Sequence, residues 1–180
     1  MARQLFQDVK RLPPLADLTA VTATSETGLW LPAAFTPIYA GDPDVGTIYE
    51  ITAGGILSTS ASASTLTITP RYGTTTSGVS LGPSNAQTVP ASLSSQPWRL
   101  EFTLVFRAVS SAASASTCVG TGTFTSVGTA GTAGSAFVST FGGTVITTAD
   151  TTTNQGIFIG WTLSVAGSCT PRYAYIKSLN

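Results

Sequence analysis

The segment PWRLEFTLVFRAV, residues 97–109, places a large apolar side chain at every second position from Trp98 to Phe106. Trp98, Leu100, Phe102, Leu104 and Phe106 recur at every second position, and Arg99, Glu101 and Arg107 fall between them. A helix would scatter five such residues around its axis, whereas a strand puts all of them on one face. The segment therefore predicts a long strand with one face in a core. Its other face carries three of the sixteen charges in a 180-residue chain. Arg99 and Glu101 are two apart, hence on the same face and able to pair. Both a solvated ion pair and polar registration across a subunit contact, with Arg107 alongside, fit that placement.

The same period returns elsewhere. GTIYEITA (46–53), ILSTS (56–60), STLTITPRY (64–72), TCVGTGTFTSV (117–127), SAFVST (135–140), GTVITT (143–148), GIFIGWTLSVA (156–166) and RYAYIKSL (172–179) all read as strands. Leu66, Ile68 and Tyr72 face opposite to Thr65, Thr67, Thr69 and Arg71. Ile157, Ile159, Trp161, Leu163 and Val165 face opposite to Phe158, Gly160, Thr162 and Ser164. The strings AGG, YGTTTSG, TAGTAGS, FGG, DTTTNQG and AGSCTP are turn signals between them. Eight or nine short strands with turns predict an all-β fold over residues 39–180, an antiparallel two-sheet sandwich of the jelly-roll kind.

Residues 1–38 read differently. Leu5, Phe6, Val9 and Leu12 are spaced for a short helix ended by Pro13-Pro14, and residues 15–38 have no clean period. The expectation is an N-terminal arm, short helix plus extended segment, that leaves the body to dock on a partner.

Only 9% of the residues are charged, against about 25% in a typical domain, while 31 Thr and 21 Ser supply polarity. Nine of the sixteen charges lie in the first fifty residues, and Asp150 is the single one from Ala108 to Pro171. A body so poor in charge fits either a surface covered by other copies or one wetted through hydroxyls. A net charge of zero offers nothing to nucleic acid or an anionic membrane. No apolar run is long enough to span a bilayer. The first fourteen residues carry charges where a signal peptide needs an apolar stretch, so no export signal is expected. Cys118 and Cys169 are compatible with a disulfide in an oxidising compartment and equally with two buried thiols.

Chemistry-bearing patterns are sparse. GVSLG (78–82) has the Gly-x-Ser-x-Gly form of a nucleophile elbow around Ser80, but no helix pattern comes after it and the chain contains no histidine. That lack removes the usual general base and most metal sites. Six of the eight acids lie in the arm or just beyond it, and Asp42 and Asp44 in GDPDVG have the character of a turn. No catalytic group, metal or cofactor is expected, and the chain is read as a non-enzyme. Trp30, Tyr39, Tyr49, Tyr72, Tyr173 and Tyr175 could offer stacking faces to a sugar. Tyr173 and Tyr175 share one face of the last strand, beside Lys177.

GTIYEITAGGILSTSASASTLTITPRYGTT, PWRLEFTLVFRAV and GIFIGWTLSVAGSCTPRYAYIKSL together resemble small jelly-roll structural proteins of tailed bacteriophages. The likeness lies in a Gly-x-x-Tyr opening strand, a Pro-Trp-x-Leu middle strand and a turn before the final strand, here AGSC without the usual Asn. It covers roughly residues 45–179. It implies a virion component assembled in the host cytoplasm. The expected function is that of a capsid decoration (minor capsid) protein on the head surface. It would be a homo-oligomer, a trimer where the lattice offers threefold positions, and would reinforce the shell across subunit joints. Its partner would be the major capsid protein, reached through the arm residues Leu5, Phe6, Val9, Leu12, Trp30 and Phe35. On this reading removal of the arm abolishes attachment and leaves the sandwich folded. The alternative is a tail-fibre or receptor-binding module for host surface glycan.

Overall fold

The computed structural model describes residues 7–11 (as backbone), 18–30, 38–73, 75–127 and 136–179, and their regular structure is entirely β. The strands are β1 (Gln7–Arg11), β2 (Thr27–Gly28), β3 (Ile48–Thr59), β4 (Ser64–Tyr72), β5 (Val79–Ser80) and β6 (Gln87–Val89). They continue with β7 (Gln96–Ala108), β8 (Ser116–Val127), β9 (Ala136–Ala149), β10 (Ile157–Leu163) and β11 (Gly167–Leu179). One sheet has the order β1-β11-β3-β7-β8-β9. The other runs β2-β10-β4, with β5 and β6 both pairing with the far side of β4. All pairings are antiparallel, and the two sheets pack as a sandwich whose strand order is compatible with a jelly roll.

The alternation of residues 97–109 becomes β7 as expected. Trp98, Leu100, Phe102, Leu104 and Phe106 are buried, and Arg99, Glu101 and Arg107 are exposed. Their face meets the second sheet through rings. Phe106 packs edge-on against Tyr72 of β4 at 5.6 Å, and Phe124 of β8 against Trp161 of β10 at 5.2 Å. Such edge-to-face pairs add about 0.5–1.5 kcal/mol each beyond area burial.

Two expected turns are strand interiors. AGG lies inside β3, where Gly54 is covered by the phenol end of Tyr173 and Gly55 sits against the Thr170 carbonyl. These glycines leave room for a bulge in β11 between Pro171 and Tyr173. FGG lies inside β9. Gly142 (φ +86°) and Gly143 (φ +93°) there absorb a register shift against β8, with Gly142 pressed on the Gly120 carbonyl. The turn read at AGSCTP also moves. Gly167 to Pro171 already belong to β11, and the reversal from β10 is made by residues 164–166.

The N-terminal segment corrects the expectation most. Residues 7–11 are a strand, not part of a helix, and pair with β11 from Gln7↔Leu179 to Arg11↔Tyr175. The edge of β11 offers main-chain partners that an isolated short helix would lack. Further along, Leu18 donates to the Pro171 carbonyl, and Val21 and Cys169 exchange backbone hydrogen bonds. The chain then crosses to the other sheet, where β2 pairs with β10. Residues 18–30 therefore do not leave the body: they form a strap along it, with Val21, Leu29 and Trp30 in its core. Because the strap covers the outer face of β10, Ile157 to Trp161 are all buried, and the expected division into two faces hides Phe158 and Gly160 as well. Glu26 lies across Gly160 and takes two bonds from Arg71 of β4, Nε to Oε1 at 2.7 Å and Nη2 to Oε2 at 2.8 Å. The Glu26 hydrogen bonds raise the Arg71 pKa further above its ordinary value.

On the opposite side the sandwich is stitched shut. Gly142 donates to the Gly82 carbonyl and Thr144 to the Leu81 carbonyl, linking β9 to the segment after β5.

Glu26→Ala is expected to lower the unfolding free energy by about 2 kcal/mol in urea titration, since it strands a half-buried, charge-assisted donor. Arg99→Ala, at an exposed pair, is expected to cost less than about 1 kcal/mol. Contrary to the expectation for an arm, deletion of residues 1–30 should abolish cooperative unfolding, because core side chains leave with it.

Candidate binding face

The outer face of the six-stranded sheet carries Arg99, Glu101, Tyr173, Tyr175 and Lys177 of the residues singled out in the sequence. Antiparallel register sets them in rows that run across the strands. One row holds Tyr173, Gly54, Arg99, Thr125 and Val138, and the next holds Tyr175, Thr52, Glu101, Thr123 and Thr140. A third holds Lys177, Glu50, Thr103 and Thr121. The fourth is apolar throughout: Leu179, Ile48, Val105, Val119 and Val145. Rows one and four are six residues apart along β7, about 20 Å at strand rise.

The two ends of the face differ in chemistry. At the apolar end Val145 is 46% exposed and the other four are half-buried, with Val45 and Val109 also exposed in flanking loops. At the other end Arg99 Nη2 donates to Glu101 Oε1 in the ion pair the spacing allowed, with 60% and 54% of the two side chains exposed. Tyr173 and Tyr175 share this face as expected, and Lys177 Nζ stands 5.8 Å from the Tyr175 ring centroid. The described residues of β8 and β9 bear no ionisable side chain on this face.

The remaining expected site residues are scattered over the molecule. Trp30 is 4% exposed, so its expected partner contact is corrected: it is buried within this chain because the strap fills the sandwich's side. Val9 lies in β1, and Leu5, Phe6, Leu12 and Phe35 lie outside the described residues. Tyr49 and Tyr72 are core residues; Tyr39 is exposed. Ser80 lies in β5, where its hydroxyl accepts from the Gly82 amide, with no helix after it. Asp42 and Asp44 sit in tight turns, the Asp42 amide bonding the Tyr39 carbonyl and the Thr47 amide the Asp44 carbonyl. Among the described residues no group of three His, Cys, Asp or Glu could hold a metal, and no helix is long and apolar enough to cross a membrane.

Cys118 and Cys169 are free thiols, which resolves the alternative against a disulfide. They sit on β8 and β11 with β7 and β3 between. Three strand spacings, about 14 Å, exceed the reach of a disulfide, about 7 Å between Cα atoms. The apolar row escaped the sequence reading, because residues 48, 105, 119, 145 and 179 are brought into line only by strand order.

Searches against protein families, curated proteins and solved structures find no match to this chain.

Burial pushes the Cys118 thiol up from 9.0 to about 12 and, with the Asp42 charge, Tyr49 up from 10.0 to about 12. Cys169 and Tyr72 are raised in the same direction, chiefly by burial. The unfolded chain gives up these protons first, so between the two sets of values it binds fewer protons than the folded one. Stability is therefore expected to hold below about pH 9 and to fall as pH rises toward 12. Cys118→Ala should flatten that slope in urea titrations at stepped pH.

Proposed function

We propose that this chain is a non-enzymatic virion structural protein, a capsid decoration (minor capsid) protein that works as a homo-oligomer on the surface of a tailed-phage head. The observation that carries the reading is the apolar row Leu179–Ile48–Val105–Val119–Val145 at one end of a broad sheet face, with Val145 exposed and the other four half-buried. Exposed apolar patches mark contact surfaces, and interface centres are depleted in charge. A second copy is the partner that fits best. Contact with a neighbouring copy through this row, which carries no ionisable side chain, would desolvate no unpaired charge. The likeness to phage jelly-roll proteins supports the same assignment. Attachment then rests on the sheet face, since the described part of the N-terminal segment is committed to the chain's own edges.

Wild-type protein should sediment as a closed oligomer, a trimer where it matches a threefold lattice position. The double variant Val105→Lys, Val145→Lys should sediment as a folded monomer with an unchanged far-ultraviolet spectrum. In purified particles, quantitative mass spectrometry should find the chain at a simple fraction of the major capsid protein. A wild-type monomer at tens of micromolar would remove the oligomeric reading, and absence from particles the virion one.

A further inference from the structure

Beside the apolar row, the second and third rows of the sheet face are not flat. Glu101, Thr103, Thr121, Thr123 and Thr140 line an open trough of about 690 Å³, bounded at the β9 side by Pro83 and Asn85. Those last two reach it because Gly82 and Gly142 bond one another where the sheets are stitched, so the loop after β5 stands up beside the β9 edge. The trough's polar side chains supply four hydroxyls, one amide and one carboxylate, beside Pro83 and Phe141. The hydroxyls donate and accept, the amide does both at separate atoms, and Glu101 accepts.

Charge narrows the class of ligand. The one acid in the trough is already paired with Arg99, and no lysine or arginine lines the trough, so a polyanion gains nothing there. A greasy ligand would leave the hydroxyls unsatisfied. One carboxylate cannot perform the two-acid hydrolysis of a glycosidic bond and is too few to hold a divalent cation. The class that fits is a neutral ligand rich in hydroxyl groups.

An exposed aromatic ring stands on the same face, its strand β11 separated from β7 by β3. Tyr173 is 43% exposed, and its phenol end leans over Gly54, the cross-strand neighbour of Arg99. Gly54 makes that posture available, because any Cβ there would collide with the ring. From Tyr173 the surface runs through Arg99 and Glu101 into the threonines, across five strands, about 19 Å at ordinary strand spacing. An exposed ring next to hydrogen-bonding groups suits a pyranose, whose C–H face stacks while its hydroxyls bond.

We propose that this trough, with Tyr173 as its stacking platform, is a binding site for a neutral oligosaccharide lying across the strands. Glu101, held by Arg99, accepts from vicinal hydroxyls, and Thr123, Thr140 and Asn85 bind the next residue. The site binds without cleaving. It lies on the same face as the apolar row and borders it, Thr103 and Thr121 being two residues from Val105 and Val119, so the site stays open where the oligomer contact is confined to that row.

The test uses the full-length oligomer on an array of neutral gluco-, manno-, galacto- and N-acetylhexosamine oligosaccharides, followed by calorimetry with the best binder. Tyr173→Ala should weaken binding about tenfold, 1.4 kcal/mol, and the isosteric Thr123→Val, Thr140→Val pair should abolish it. Tyr39→Ala, at an exposed ring outside both the row and the trough, should leave it unchanged, and the recovered sugar should be intact by mass spectrometry. Wild-type protein that binds none of the array would overturn the proposal, as would binding that survives both trough variants. Sedimentation of each variant is read separately, so failure of the sugar site and failure of the oligomer are distinct results.

Discussion

A sandwich of two open sheets has edges, and an edge strand presents unpaired N–H and C=O groups to any passing chain. In this molecule the strap formed by the N-terminal segment answers that constraint on one side, covering β11 of the first sheet and then β10 of the second. Much else depends on it. Val21, Leu29 and Trp30 complete the core only because the strap is in place, and β10 can be apolar on both faces only because the strap covers one of them. The Glu26–Arg71 fork ties the strap to β4 and orients it. On the other side, the bonds from Gly142 and Thr144 to the segment after β5 do the same work by joining the sheets directly.

How much of this was legible in the sequence depended on the range of the signal. Period-two alternation is local and strong, so β4 and β7 and their inward faces were readable from residues such as Leu66, Ile68 and Phe102, and β8 was readable as a strand. Glycine was ambiguous. Gly54-Gly55 and Gly142-Gly143 carry the composition of turns, but they serve as openings for Tyr173 and for a shift of register, and those needs arise from the neighbouring strand. The spacing of Leu5, Phe6, Val9 and Leu12 suited a helix, yet the edge of β11 overrode it for residues 7–11. Trp30 looked like an anchor for a partner because nothing local marks a strap that folds back on its own sandwich.

The face of the six-stranded sheet was legible strand by strand and illegible as a surface. Arg99 with Glu101, and Tyr173 with Tyr175, were assigned to shared faces correctly. That Tyr173 stands beside Arg99, or that five aliphatic residues line up from Leu179 to Val145, comes from strand order, which alternation does not encode. The scarcity of charge acquires a physical meaning once the rows are drawn. Threonine keeps β8 and β9 wet at one end of the face, and valine leaves the other end ready to be covered.

Gln7 and Leu179 are cross-strand partners, so the chain enters β1 and leaves β11 at the same corner. Mechanical load applied through the two ends would open that ladder one hydrogen bond at a time, the weakest direction for a pair of strands. Load entering through the broad sheet face is shared in shear by all the ladders from β11 to β9. A tether drawn from either end would thus peel the molecule, whereas a neighbour gripping the face would find it stiff.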